Sequence, residues 1–139
     1  MAEFVLDSSV ALSWCFPRDP TEDTPYSRHV LAKLSMDDAI VPAVWPFEIA
    51  NIIFVAFQKR KRSTQKDIDD YLQLLRALPI RVEYRDLWDT IALEANARKW
   101  NLSAYDAAYL DLAWRKSLPL ATADADLRRV AIAEGVNLL

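Results

Sequence analysis

The sequence predicts an α/β domain built on a mainly parallel sheet. Two observations carry that prediction. Short apolar runs of strand length alternate along the chain with longer stretches of helical period. The punctuation agrees with this order: Pro17 ends one helix, Thr64 caps another, and Gly135 closes the last. Strands joined through helices lie parallel, and such sheets gather functional residues beyond the carboxyl ends of their strands.

Taken in order, "EFVL" (3–6) reads as the first strand and "SSVALSWCF" as a helix that Pro17 stops. "PRDPTEDTP" is a loop, and "YSRHVLAKLSM" is an amphipathic helix. "AIVP" (39–42) is a short strand. A long helix follows through "WPFEIANIIFVAFQKRKR", with Pro46 tolerated in its first turn. "TQKDIDDYLQLLRAL" is a further helix with Thr64 as its cap. "IRVEY" (80–84) is a strand and "DLWDTIALEANARKW" an amphipathic helix. Ser103 caps a helix reaching Lys116, "LPLAT" (118–122) is a strand, "DADLRRVAIAEG" is a helix, and "VNLL" is a last short strand.

At 139 residues the chain reads as a single domain, 1–139, with enough length to bury about two thirds of its unfolded surface without staples. Five Trp, five Tyr and five Phe argue against disorder. The lone Cys15 excludes an internal disulfide, and with a single His it excludes a Cys/His zinc cluster. Cys15 is expected to be a small buried hydrophobe in a reducing compartment. One glycine in the whole chain rules out Gly-rich phosphate loops. "MAEFVLDSS" lacks the basic start of a signal peptide, and "IANIIFVAF" is too short to span a bilayer. A cytoplasmic protein with no membrane association is the expectation. A net charge of −3 weighs against non-specific nucleic-acid binding but allows a local basic face.

The acids then need sorting. Asp7 follows the first strand, and Asp124 follows the "LPLAT" strand. Glu48 and Asp106 each lie in the first turn of a helix. Helix starts favour acids, so each can be read as a cap or a dipole partner. The neighbours three and four residues away shift that reading. Asp111 has Arg115 and Glu94 has Arg98, so both read as solvated ion pairs. Glu48 and Asp106 have no basic neighbour at those spacings. A buried, unpaired carboxylate costs several kcal/mol or becomes neutral, unless something non-local compensates. A divalent cation would do so. Carboxylates from four separate segments suit Mg²⁺ or Mn²⁺, which prefer oxygen ligands and can support phosphodiester hydrolysis. His29 falls in an amphipathic helix away from these acids and reads as a surface or packing residue.

The four segments together resemble the PIN-domain ribonucleases, and among them the VapC toxins of toxin–antitoxin pairs. The stretches that carry the resemblance are "FVLDSSVALSW", "VPAVWPFEIANII", "LSAYDAAYLDLA" and "LPLATADADL". Each is weak alone; in this order, across the whole chain, they are specific. The resemblance implies a three-layer α/β/α sandwich with acids converging at one end of a parallel sheet. It implies Asp7 and Asp106 as principal ligands of Mg²⁺ (or Mn²⁺), completed by Glu48 and Asp124. Ser8 and Thr122 match polar positions that line such sites. Asp126, two residues past Asp124, could share or exchange its role. Also implied are a structured RNA substrate, tRNA or rRNA, a small VapB-like antitoxin whose tail crosses the active-site groove, and a homodimer.

For the RNA backbone, the basic run Lys59, Arg60, Lys61 and Arg62 and the pair Arg128 and Arg129 are the candidates. Phe54, Phe57, Trp14 and Trp45 could serve core or partner groove. An aspartyl-nucleophile phosphatase would need a second acid where Ser9 stands, and a receiver domain would need an acid pair that "LDSS" lacks. The stronger alternative is a catalytically silent PIN-like module that binds RNA or protein; retention of all four acids favours catalysis.

Overall fold

The computed structural model describes residues 2–59 and 63–139, with the side chain of Lys59 left aside. Its centre is a four-stranded parallel sheet of order β3-β2-β1-β4. The strands are β1 (Glu3–Leu6), β2 (Asp38–Pro42), β3 (Ile80–Glu83) and β4 (Leu120–Ala121). Phe4, Val5 and Leu6 are buried in succession, as are Ala39, Ile40, Val41 and Pro42. Successive strand residues point to opposite faces, so unbroken burial means that helices cover both sides of the sheet. The result is the expected α/β/α arrangement. β3 lies at the edge and is only partly buried.

The helices are α1 (Ser8–Ser13), α2 (Pro25–Lys33), α3 (Trp45–Phe54), α4 (Gln65–Ala77), α5 (Leu87–Ile91), α6 (Leu93–Trp100), α7 (Ala104–Lys116) and α8 (Ala125–Ala133). Thr24 and Thr64 open α2 and α4 with complete capping boxes. Gly135, at φ 75°, supplies the left-handed turn after α8. None of the helices among the described residues is long and apolar enough to cross a membrane.

Three elements differ from the sequence reading. The long third helix changes to a π-helical turn over Val55–Lys59, and Arg60, Lys61 and Arg62 lie outside the described residues. The single helix expected over "DLWDTIALEANARKW" is two, α5 and α6, meeting at Ala92, where Ala95 N–H bonds back to the Ala92 carbonyl in a tighter turn. The last strand is reduced to one bridge between Leu120 and Leu138. Two exposed features were legible: His29 is on the surface, and Glu94 and Arg98 pair at 3.0 Å in solvent.

The chain runs β1, β2, β3 to one side, then returns to place β4 on the other side of β1. The strand order therefore reverses between β1 and β4, and the crevice beyond their carboxyl ends is where open α/β sheets hold their sites. Trp14 and Trp45 belong to the core, and Cys15 is buried there too. Phe54 is half exposed and Phe57 half-buried.

Candidate metal centre

Register brings the first two site residues together. Leu6 pairs with Ala121, and Asp7 N–H donates to the Ala121 carbonyl at 2.9 Å. The next residues on each strand, Asp7 and Thr122, thus stand side by side beyond the sheet. Asp7 occupies the N-cap position of α1, yet its side chain caps nothing. Its carboxylate instead accepts from Thr122 Oγ1 at 2.7 Å and Ser9 Oγ at 2.6 Å. Asp7 is buried, with 4% of its surface exposed. Burial pushes its carboxyl above the usual range; the Ser9 and Thr122 hydroxyls oppose the shift, and the charges of Glu48 and Asp124 add to it.

Glu48 sits in the first turn of α3, which follows the carboxyl end of β2. Its Oε1 accepts from Ser8 Oγ at 3.1 Å and from the hydroxyl of Tyr109, a fully buried residue of α7. Asp124 is the N-cap of α8: its Oδ1 accepts from Leu127 N–H at 2.8 Å, while its own N–H donates to Thr122 Oγ1 at 3.0 Å.

Asp106 is best understood beside Asp67. Both hold the third position of a helix behind a Ser or Thr cap. In α4 the capping box closes in both directions, and the backbone and hydroxyl of Thr64 hold the Asp67 carboxyl below its usual range. In α7 only half of the box forms, Asp106 N–H donating to Ser103 Oγ at 3.1 Å. The Asp106 carboxyl is raised: burial first, then the charges of Asp7 and Asp124, outweigh the Ser103 hydroxyl. The same local motif therefore carries opposite electrostatics, because Asp106 faces other acids.

Asp7, Glu48, Asp106 and Asp124 line one cavity of about 570 Å³, with Ser8, Ser9 and Asn51 among the polar groups beside them. None of its described lining residues is Lys, Arg or His. Among the described residues, no three Asp, Glu, His or Cys close up into a compact metal cage. The carboxylates instead ring the cavity. An all-oxygen donor set with room for water suits Mg²⁺ or Mn²⁺, which binds through few carboxylates and keeps part of its hydration shell. The residues fit such an ion.

Asp126 lies outside this cavity, exposed and 3.6 Å from Arg129. Arg128 is engaged in the fold: Nη1 donates to the Thr122 carbonyl at 2.8 Å, and the guanidinium lies 5.2 Å over the Tyr26 ring. It braces the turn that presents Thr122 and Asp124.

The reading of Asp111 as a solvated partner of Arg115 needs correction. The pair forms, at 2.7 Å, but Asp111 is 5% exposed. It also accepts from Arg85 at 3.0 Å and Asn96 at 3.1 Å, and Arg115 reaches on to Glu83 at 2.7 Å. The partners come from β3, the turn after it, and α6, so no spacing within α7 could announce them.

Sequence reasoning also missed Ser9, Asn51, Tyr109 and two aromatics at the cavity, Phe47 and Tyr105. Phe47 and Tyr105 are 79% and 63% exposed. A signal was present for these two: each immediately precedes a predicted acid in the first turn of its helix.

The family model of the PIN domain matches residues 4–133, from β1 through α8. The crystal structure of PAE2754 from Pyrobaculum aerophilum is similar to this chain with a TM-score of 0.62 at 15% identity, covering 93% of this chain and 86% of that one. At that identity the likeness is one of fold. No curated protein matches the chain.

Proposed function

The chain belongs to the PIN domain family, and from that premise we propose that it is a metal-dependent endoribonuclease of the VapC toxin type. It hydrolyses phosphodiester bonds of structured RNA, tRNA or rRNA, in the cytoplasm. A VapB-like antitoxin neutralises it, and it works as a homodimer. One observation supports this reading above the others: four carboxylates from four separate segments line one cavity at the sheet's switch point, with no basic residue among its described walls.

Asp7 and Asp106 would hold Mg²⁺ (or Mn²⁺), with Glu48 and Asp124 completing the set. The bound cation would polarise the phosphodiester and offset the charge that develops in its transition state. The chain's own groups do the positioning. Thr122 and Ser9 fix the Asp7 carboxylate from two sides. Ser8 and Tyr109 fix that of Glu48. Phe47 and Tyr105 offer exposed rings to unstacked bases. Arg129 and the basic run Lys59, Arg60, Lys61 and Arg62 remain candidates for the RNA backbone, and Arg128 serves it through the turn it braces.

Purified protein should cleave RNA with Mg²⁺ or Mn²⁺, stop with EDTA, and leave 5′-phosphate ends. Asp7→Ala and Asp106→Asn should each abolish cleavage. Cleavage that persists in both variants would refute the assignment. The toxin role is tested separately by growth arrest on expression, relieved by the same substitutions. Light scattering tests the dimer.

A further inference from the structure

Beside the carboxylate cavity lies a second one of about 190 Å³, and the two share Val44 and Tyr105 in their walls. Helix geometry explains the partition. Ala104, Ala108, Asp111 and Arg115 follow the spacing of one face of α7, and all line the second cavity. At about 100° per residue, Asp106 lies roughly 200° round the helix from Ala104, and Tyr105 falls between the two faces. Tyr105 therefore stands on the boundary, with its ring mostly in solvent.

The walls are apolar, formed by Val44, Leu93, Ala104 and Ala108, while the floor is the ion cluster of Arg85, Asp111, Arg115 and Glu83. Ligand sites for drug-sized molecules run to roughly 300–1,000 Å³, so this one suits a single flat ring system. The charges of the floor are mutually satisfied, so no free ion is called for. Arg85 spends Nη1 on Asp111, and its Nη2 stands 3.9 Å from Asp89, beyond hydrogen-bonding distance. Donors thus remain at the floor of an otherwise apolar slot. A flat ring with apolar faces and acceptors on its edge is the chemistry of a nucleobase. Bases splayed from single strands are stacked against aromatic or apolar side chains and hydrogen-bonded along their edges. Asp106 and Asp111 are five residues apart on α7, about 7.5 Å along its axis. The two cavities thus adjoin across Tyr105, one on each face of the helix.

We propose that this cavity is a nucleobase subsite: it holds the unstacked base of a nucleotide adjoining the scissile phosphate in a single-stranded RNA segment, with Tyr105 stacking at the mouth and Arg85 donating to an edge acceptor. The assignment builds on the ribonuclease reading of the neighbouring carboxylates, and two independent arms keep the two separable.

The first arm needs no catalysis. AMP, GMP, CMP and UMP are titrated into metal-free protein, followed by amide NMR. At least one should shift Leu93 and Ala108, and Ala108→Leu, which fills the cavity, should remove those shifts; Leu93→Phe serves if the first variant fails to fold. Shifts confined to the carboxylate cavity would overturn the proposal. The second arm maps cuts in an unstructured RNA of randomised sequence. Wild-type protein should prefer a base at one position next to the cut. Ala108→Leu should flatten that preference about fivefold or more while cutting continues, and Tyr105→Ala should raise KM by about five- to a hundredfold. An unchanged preference in Ala108→Leu would also overturn it. Failure of wild-type protein to cut any RNA would remove the ribonuclease reading, and the mononucleotide arm would still decide the cavity. A change of oligomeric state in Ala108→Leu would make the cavity an interface between copies and sink the proposal.

Discussion

Replacing Asp111 by alanine should destabilise the protein far more than a helical surface pair could. The residue is 5% exposed, and its carboxylate accepts from Arg115 at 2.7 Å, Arg85 at 3.0 Å and Asn96 at 3.1 Å. Removing it leaves Arg85 with only a distant Asp89 and Asn96 with no acceptor, though Arg115 keeps Glu83. Breaking a buried ion pair from one side costs about 3–5 kcal/mol. Both arginine side chains are 26% exposed, so water recovers part of their solvation and the low end applies. The expected loss is about 3 kcal/mol, which for a domain of this size lowers Tm by roughly 10 °C. Asp111→Asn retains the volume and some of the hydrogen bonding and should lose about half as much. Urea unfolding at neutral pH and low salt is the assay. A loss within about 0.5 kcal/mol, the range of solvated surface pairs, would refute the buried-cluster account. Because α7 also carries Asp106 and Tyr109, a cleavage assay below the transition separates unfolding from damage to the site.

Other outcomes follow from the site itself. Tyr109→Phe should keep the fold but lower kcat/KM about tenfold or more, since a hydrogen bond to a charged group contributes roughly 1.5–3 kcal/mol; unchanged kinetics would remove Tyr109 as the residue that positions Glu48. Asp106→Asn should raise Tm in EDTA by relieving repulsion from Asp7 and Asp124, and should abolish the Tm rise that saturating Mg²⁺ gives wild-type protein, about 2.7 kcal/mol at a hundred times Kd. A persisting Mg²⁺ effect would count against Asp106 as a ligand. In metal-free protein, Asp7 and Asp106 hold their protons to higher pH when folded. Their contribution to stability is therefore complete below the ordinary Asp value of 3.8 and is lost as pH rises through the folded-state values above it. Glu83 runs the other way: burial would raise it, but Arg115 and Lys116 together hold it below its ordinary 4.5, so its contribution is present above 4.5 and lost as pH falls through the lower folded value. Stability against pH for Glu83→Gln should accordingly decline less on the acid side than in wild-type protein, read by thermal melts; an unaltered profile would refute that account.

Much of the site was legible because its logic is local. Asp7 and Asp124 could be placed at strand ends from the apolar runs before them. Asp106 and Glu48 stood out because no cation lies within a helical turn of either, a fact of spacing alone. The same local test failed for Asp111, whose spacing to Arg115 was real but whose burial depends on Arg85 and Asn96. It also could not separate Asp106 from Asp67, two acids in one capping position with opposite shifts.

The sequence by itself determined the alternation of strands and helices and which acids lack a local partner, since periodicity and helical neighbours act within a few residues. Only the tertiary structure decided that Thr122 would hold Asp7 across 115 positions, that Tyr109 would hold Glu48 across 61, and that Asp124 rather than Asp126 would line the cavity. Those choices rest on strand order and register, which bring together groups whose separation along the chain carries no trace of their contact.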